Sequence, residues 1–168
     1  LDGKTNLTNS VTEVNVGKNA EIDYYKVQND TVEASLIDHT FITQERDSRA
    51  SFQTFSFGGK LTRNNLNFVQ NGENCNSMLN GITVISDKQH VDHHTKVEHK
   101  YPHCESHELY KGIYDENAHG VFNGKVYVHP EAQKLNAFQQ NNNVLLTNNA
   151  TIDTKPQLEI FADDVKCS

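Results

Sequence analysis

Six of the nine histidines in this chain crowd between His90 and His107, with Asp92, Glu98, Cys104 and Glu108 among them. Imidazole, thiolate and carboxylate are the ligands of zinc and iron, so the first chemistry to consider is metal binding. On a helix, His99, His103 and His107 would line one face at four-residue steps, but Pro102 falls inside that window and breaks it. The Val and Thr content favours a strand. Period two then puts Val91, His93, Thr95, Val97 and His99 on one face and His90, Asp92, His94, Lys96 and Glu98 on the other. At a strand rise near 3.3 Å, His93 and His99 stand about 20 Å apart and His90 and His94 about 13 Å, too far to share an ion. Only Asp92 with a flanking histidine, at about 7 Å, comes close, and two ligands make a weak site. The expected arrangement is one histidine-bearing face turned to the core and one charged face in water. A ligand set completed from neighbouring turns of the chain is the alternative.

The thiols point the same way. Cys75, Cys104 and Cys167 are an odd number, 29 and 63 residues apart, with no C-x-x-C pair. This suits a reducing, cytoplasmic setting better than a disulfide framework or a closed zinc site, and at least two of the three are expected to be buried small hydrophobes. An iron–sulfur cluster is usually held by four thiolates, with imidazole able to replace some, and these cysteines are poorly spaced to hold one alone. No nucleophile, base and orienting group stand out as an enzyme's set, and no G-x-x-x-x-G-K-[ST] loop is present to bind ATP.

The elements that must position these groups are short. Twenty asparagines gather in clusters such as Asn64–Asn65, Asn71–Gly72, Asn141 to Asn143 and Asn148–Asn149, and asparagine tolerates left-handed backbone and bonds its own main chain, so the clusters mark turns. Between them lie TEVNV, AEIDYYKV, ASLIDHTFI, ASFQTFSF, HTKVEH, GKVYV, NVLLT and LEIF, rich in β-branched and aromatic residues, which predict strands. The weak helical pattern of VHPEAQKLNAFQQ is interrupted by Asn136. Small residues recur after the turns, at Ala20, Ala34, Ala50, Cys75, Cys104, Ala118, Ala132 and Ala150, at intervals of 14, 16, 25, 29, 14, 14 and 18. A step that doubles in this way predicts a coil of strands with two faces per turn, each turn burying its apolar side on its neighbours. The fold class is therefore all-β, a right-handed parallel β-helix, over residues 1–168 as one domain.

The balance of 22 acidic against 15 basic residues, net charge −7, argues against nucleic acid or an anionic membrane as partner. No apolar run is long enough to span a bilayer. The chain opens at Leu1 without an initiator Met, which marks it as a fragment.

Two stretches carry a resemblance to a known family. GVFNGKVYVHPEAQKLNAFQQNNNVLLTNNATIDTKPQLEIFADDVKCS, Gly120 to Ser168, and VDHHTKVEHKYPHCESHELYKGI, Val91 to Ile113, resemble the core of the SufB/SufD family of the Suf iron–sulfur cluster assembly machinery, on its SufD side. Residues 1 to 90 match more loosely. The resemblance implies the β-helix fold and a non-catalytic assembly subunit. It implies pairing with SufB through the β-helix, a transient cluster shared at that interface, no cofactor held tightly by this chain alone, and coupling to the SufC ATPase through a C-terminal helical domain that lies outside the chain, as does an N-terminal region. In the family the tail motif continues into a His-Gly pair facing the partner. Its implied interface residues here are Pro156, Gln157, Glu159, Asp163, Asp164 and Cys167, with Cys167 also a candidate metal ligand. Open strand edges suggest that the isolated fragment self-associates as a homodimer.

Two other classes remain in view. A secreted carbohydrate-binding or adhesive β-helix would fit the fold, but it should show calcium-binding G-G-x-G-x-D repeats or a carboxylate-lined groove. A cupin-like metalloenzyme would need its histidines to converge from several strands of a barrel, which the repeat length does not suggest.

Overall fold

The structure, a computed structural model, describes residues 5–168. Twelve strands follow one another: β1 Asn6–Val16, β2 Glu21–Gln28, β3 Ala34–Gln44, β4 Arg49–Phe57, β5 Leu61–Gln70, β6 Asn76–Ile85, β7 His90–His99, β8 Glu105–Tyr114, β9 His119–Val128, β10 Leu135–Leu145, β11 Thr151–Ile160 and β12 Val165–Cys167. Odd strands form one parallel sheet in the order β1-β3-β5-β7-β9-β11, and even strands the other, β12-β10-β8-β6-β4-β2. The chain is thus a parallel β-helix of two sheets with two strands per turn, as the repeat predicts. Among the described residues no helix is long and apolar enough to cross a membrane.

Each turn advances the register by about one strand pair of sequence. Asn6 stands beside Ala34, Leu61 beside His90, His90 beside His119, and His119 beside Thr151. Alternation then decides what is inside. β4 and β9 bury every second residue, as period two requires when one face packs on the opposite sheet. The inward residues of successive turns stack into columns, and one of them, Ile42, Phe68, Val97 and Val126, is almost wholly buried. Ile42, Phe68 and Val97 of this column join Phe52, Leu79, Tyr110 and Phe122 in the central core, each such side chain contributing about 1.5–3 kcal/mol by leaving water.

The corners explain only some of the asparagines: Asn64–Asn65 and Asn141 to Asn143, expected at turns, lie inside β5 and β10. Asn19, Asp47, Asn74, His103 and Lys134 all have φ between 55° and 62°, the left-handed region where Asn and Asp are least penalised. Their N–H groups donate to Arg46, Glu73, Pro102, Gln133 and Asp164 respectively, one turn further on, which ties the turns together at this corner. The residue after the left-handed one turns inward, and small side chains fit there: Ala20, Ser48, Cys75 and Cys104 accept successive backbone bonds from Arg49, Asn76, Glu105 and Asn136. The corner position of the second turn is therefore Ser48, and Ala50 lies two residues further on, inside β4.

Candidate functional site

The described residues place the chemically capable side chains in four settings. The inward face of β7 comes first. His93 is 3% exposed and His99 fully buried, as strand parity predicts. His93 Nδ1 lies 3.4 Å from the Asn64 amide and Nε2 2.9 Å from Thr83 Oγ1. Burial, with the charge of Lys26 adding to it, pulls its pKa down to about 3, so the ring is neutral and both nitrogens are engaged. His99 Nε2 bonds Ser106 Oγ at 3.0 Å, and burial holds its pKa near 4. The same interior carries an ion pair, Lys26 to Asp38 at 2.6 Å. Burial acts to raise Asp38, but bonds from Lys26 and Ser10 outweigh it and hold the carboxyl below the usual range. Further along, Glu108 accepts from Gln139 Nε2 at 2.6 Å, and burial pushes its pKa up to about 7. These groups form a polar seam inside the stack, partly paired with one another, while His99 Nδ1 and Glu108 Oε1 are buried without a hydrogen-bond partner.

The outer face of the same sheet is a lattice of charges. Asp92 sits between Arg63 Nη1 at 2.8 Å and His94 Nε2 at 2.9 Å. Glu98 is flanked by Lys96 and by His129 Nε2, each at 2.8 Å. His90 and His119 meet with their Nδ1 atoms 3.1 Å apart, and His119 Nε2 reaches Asp153 at 2.9 Å. Among the described residues no three His, Cys, Asp or Glu side chains converge as a metal-binding group.

The third setting is the corner where Cys75 and Cys104 stack, 1% and 0% exposed. Both thiols donate to the carbonyl of Gly72, at 3.2 and 3.3 Å. The contact with Cys104 draws the Cys75 thiol down to about 7, and the same contact pushes the Cys104 thiol up. Strand patterning did not bring these two thiols together, yet their separation of 29 residues equals the register step between β7 and β9 and was the available signal.

The fourth setting is the last turn, where the tail residues expected at an interface lie. Cys167 is half-buried and stacks beside Ala137, facing inward against the cluster of Val126, Val128, Leu135 and Ala162, and burial raises its thiol pKa. Pro156, paired with Gly124, faces inward on β11 but is exposed, and Gln157 and Glu159 lie on the outer face, with Glu159 held by Lys125 at 2.7 Å. Asp163 and Asp164 form the exposed bend before β12, where the Asp164 N–H donates to the Gln133 side chain and its carbonyl accepts from Lys134. Among the described residues no strand pairs beyond β11, and Leu158, Ile160 and the neighbouring Phe161 are 44%, 38% and 57% exposed. The structure therefore gathers the tail residues in the last described turn and sets Cys167 two strands along the sheet from the Cys104 corner, without contact to either other thiol.

Fold and thiol placement define a two-sheet parallel β-helix with a buried cysteine pair at one corner and a third cysteine, Cys167, packed inward on the last described strand. The whole chain matches a family model: residues 2–168 fit the SufBD core domain of SUF-system FeS cluster assembly. An iron–sulfur cluster assembly SufBD family protein of Synechocystis is 38% identical over 96% of the chain and 36% of its own length. The iron–sulfur cluster assembly protein SufD of Escherichia coli is 33% identical over the full chain and 40% of its own length. A SufBD family protein of Mycobacterium leprae is 34% identical over 67% of the chain and 30% of its own length. The chain belongs to the SufBD family of iron–sulfur cluster assembly proteins, and it spans well under half the length of these relatives.

Proposed function

We propose that this chain is the β-helix core of a SufD-type subunit, a non-catalytic scaffold that works in the cytoplasm as half of a shared cradle for nascent iron–sulfur clusters. The partner is SufB, docked at the turn that holds the tail residues Pro156 to Cys167, and the cluster is cargo at the junction. The observation that carries this reading is the match of residues 2–168 to the SufBD core domain, together with thiols too few and too scattered to hold a cluster within this chain, Cys167 standing two strands along from the corner of Cys75 and Cys104.

Cys167 supplies a single ligand on this side, so the remaining thiolates or imidazoles come from the partner. Coupling to the SufC ATPase belongs to parts of the protein outside this chain. In the absence of SufB, the same turn pairs two copies of the isolated chain.

The test is co-expression of the full-length protein with SufB and SufC. The three are expected to co-purify. A Cys167→Ser variant should keep its fold and the complex but lose cluster retained on anaerobic reconstitution of the pair. Robust cluster binding by this chain alone, with no partner present, would overturn the reading.

A further inference from the structure

His90 and His119 are register partners on β7 and β9 and both project from the outer face of the odd-strand sheet. Their rings stand edge to face with centroids 4.7 Å apart, and the two Nδ1 atoms are 3.1 Å from one another. With a metal–nitrogen bond of about 2.0–2.1 Å, two nitrogens on one ion lie about 2.9 Å apart at a right angle and about 3.4 Å at the tetrahedral angle. The observed spacing falls between these values, so an ion fits with little ring movement.

The surroundings suit a cation. The Nε2 of His119 is held by Asp153, the carboxylate–histidine arrangement that orients a ligating ring and raises its basicity. Asp92 lies two residues from His90, its carboxylate engaged by Arg63 and His94, and adds negative charge without competing as a ligand. The His119 side chain is 38% exposed, which leaves the outer side open to water.

We propose that His90 and His119 form a two-imidazole site for one divalent transition ion of the kind nitrogen ligands select, Zn2+ or Cu2+, with water completing the coordination and Asp153 positioning His119. The site holds a single ion: its two ligands stand on β7 and β9, and its positioning residue Asp153 on β11.

The experiment titrates the full-length protein with Zn2+ by calorimetry and follows Cu2+ by electron paramagnetic resonance. The expected result is an ion whose signal carries two nitrogen couplings and disappears in His90→Gln or His119→Gln. Asp153→Asn should weaken Zn2+ binding by about 10–100-fold, the usual effect of losing a partner of a ligating histidine, and His129→Gln on the same face should leave it unchanged. If His119→Gln fails to fold, His90→Gln and Asp153→Asn carry the same comparison. Zn2+ binding that is absent, or that is the same in His90→Gln as in the unsubstituted protein, would overturn the proposal.

Discussion

Phe68 and Leu158 belong to one inward column, with Val97 and Val126 between them. Phe68, Val97 and Val126 are 0%, 0% and 2% exposed, and Leu158 is 44% exposed. The residue types hardly differ, and neither does their direction. What differs is the next turn. In the middle of the stack each inward side chain is covered on both sides along the axis, whereas Leu158, on the last described strand of its sheet, has a described neighbour on one side only. Burial here is a property of position in the stack.

Substitutions that treat the two ends of this column differently test the contrast. Phe68→Ala should have the largest effect, a loss of about 3–5 kcal/mol in denaturant unfolding, because it opens a cavity that covered neighbours cannot fill. If it cost no more than Leu158→Ala, the contrast would vanish.

Next comes the buried carboxyl of the middle turns. Glu108 has its pKa raised from 4.5 to about 7 in the folded chain. Its contribution is therefore fully present below pH 4.5 and is lost as pH rises through about 7, by an amount on the order of 3 kcal/mol. Glu108→Gln should remove this loss, so the variant gains stability relative to the parent between pH 5 and pH 8 in thermal melts. His93 and His99 work in the opposite sense. Their pKa values are depressed to about 3 and about 4, so their contribution is present above pH 6.5 and lost as pH falls toward those values. A Glu108→Gln protein whose advantage over the parent did not grow with pH would contradict the buried assignment.

Gly81→Ala tests packing in the covered turns, since its Cβ would stand 2.2 Å from the buried Tyr110 ring. A cost of about 1–3 kcal/mol is expected from overpacking, read from the denaturant midpoint. The smallest effect belongs to Leu158→Ala, about 1 kcal/mol or less in the isolated chain, because much of that side chain is already in water.

Much of this architecture was legible in the sequence. Strand parity put His93, Thr95, Val97 and His99 inside, and the recurrence of small residues pointed to the two-strand repeat, although Asn64–Asn65 and Asn141 to Asn143 proved to be strand residues and not turns. Charged and apolar alternation along one strand is a local property, so a single strand's residues suffice to read it. Contacts between turns are not local. His90 with His119, Arg63 with Asp92, and Asn64 with His93 are each 29 residues apart, and recognising them needs the register to the residue. The spacing of small residues blurred it, because Ala50 stands in a strand where Ser48 holds the corner. The same blur hid the Cys75–Cys104 pair. The exposure of Leu158 and Ile160 was not legible at all, since alternation alone marks them as half-buried strand residues and only the absence of a covering turn among the described residues leaves them open.

The most direct test of the central claim is a pull-down with SufB of the full-length protein carrying Leu158→Asp and Ile160→Asp together. If the turn that holds the tail residues is the docking surface, the variant keeps the melting temperature of the parent but no longer co-purifies with SufB. Co-purification at the parent's yield would contradict that claim.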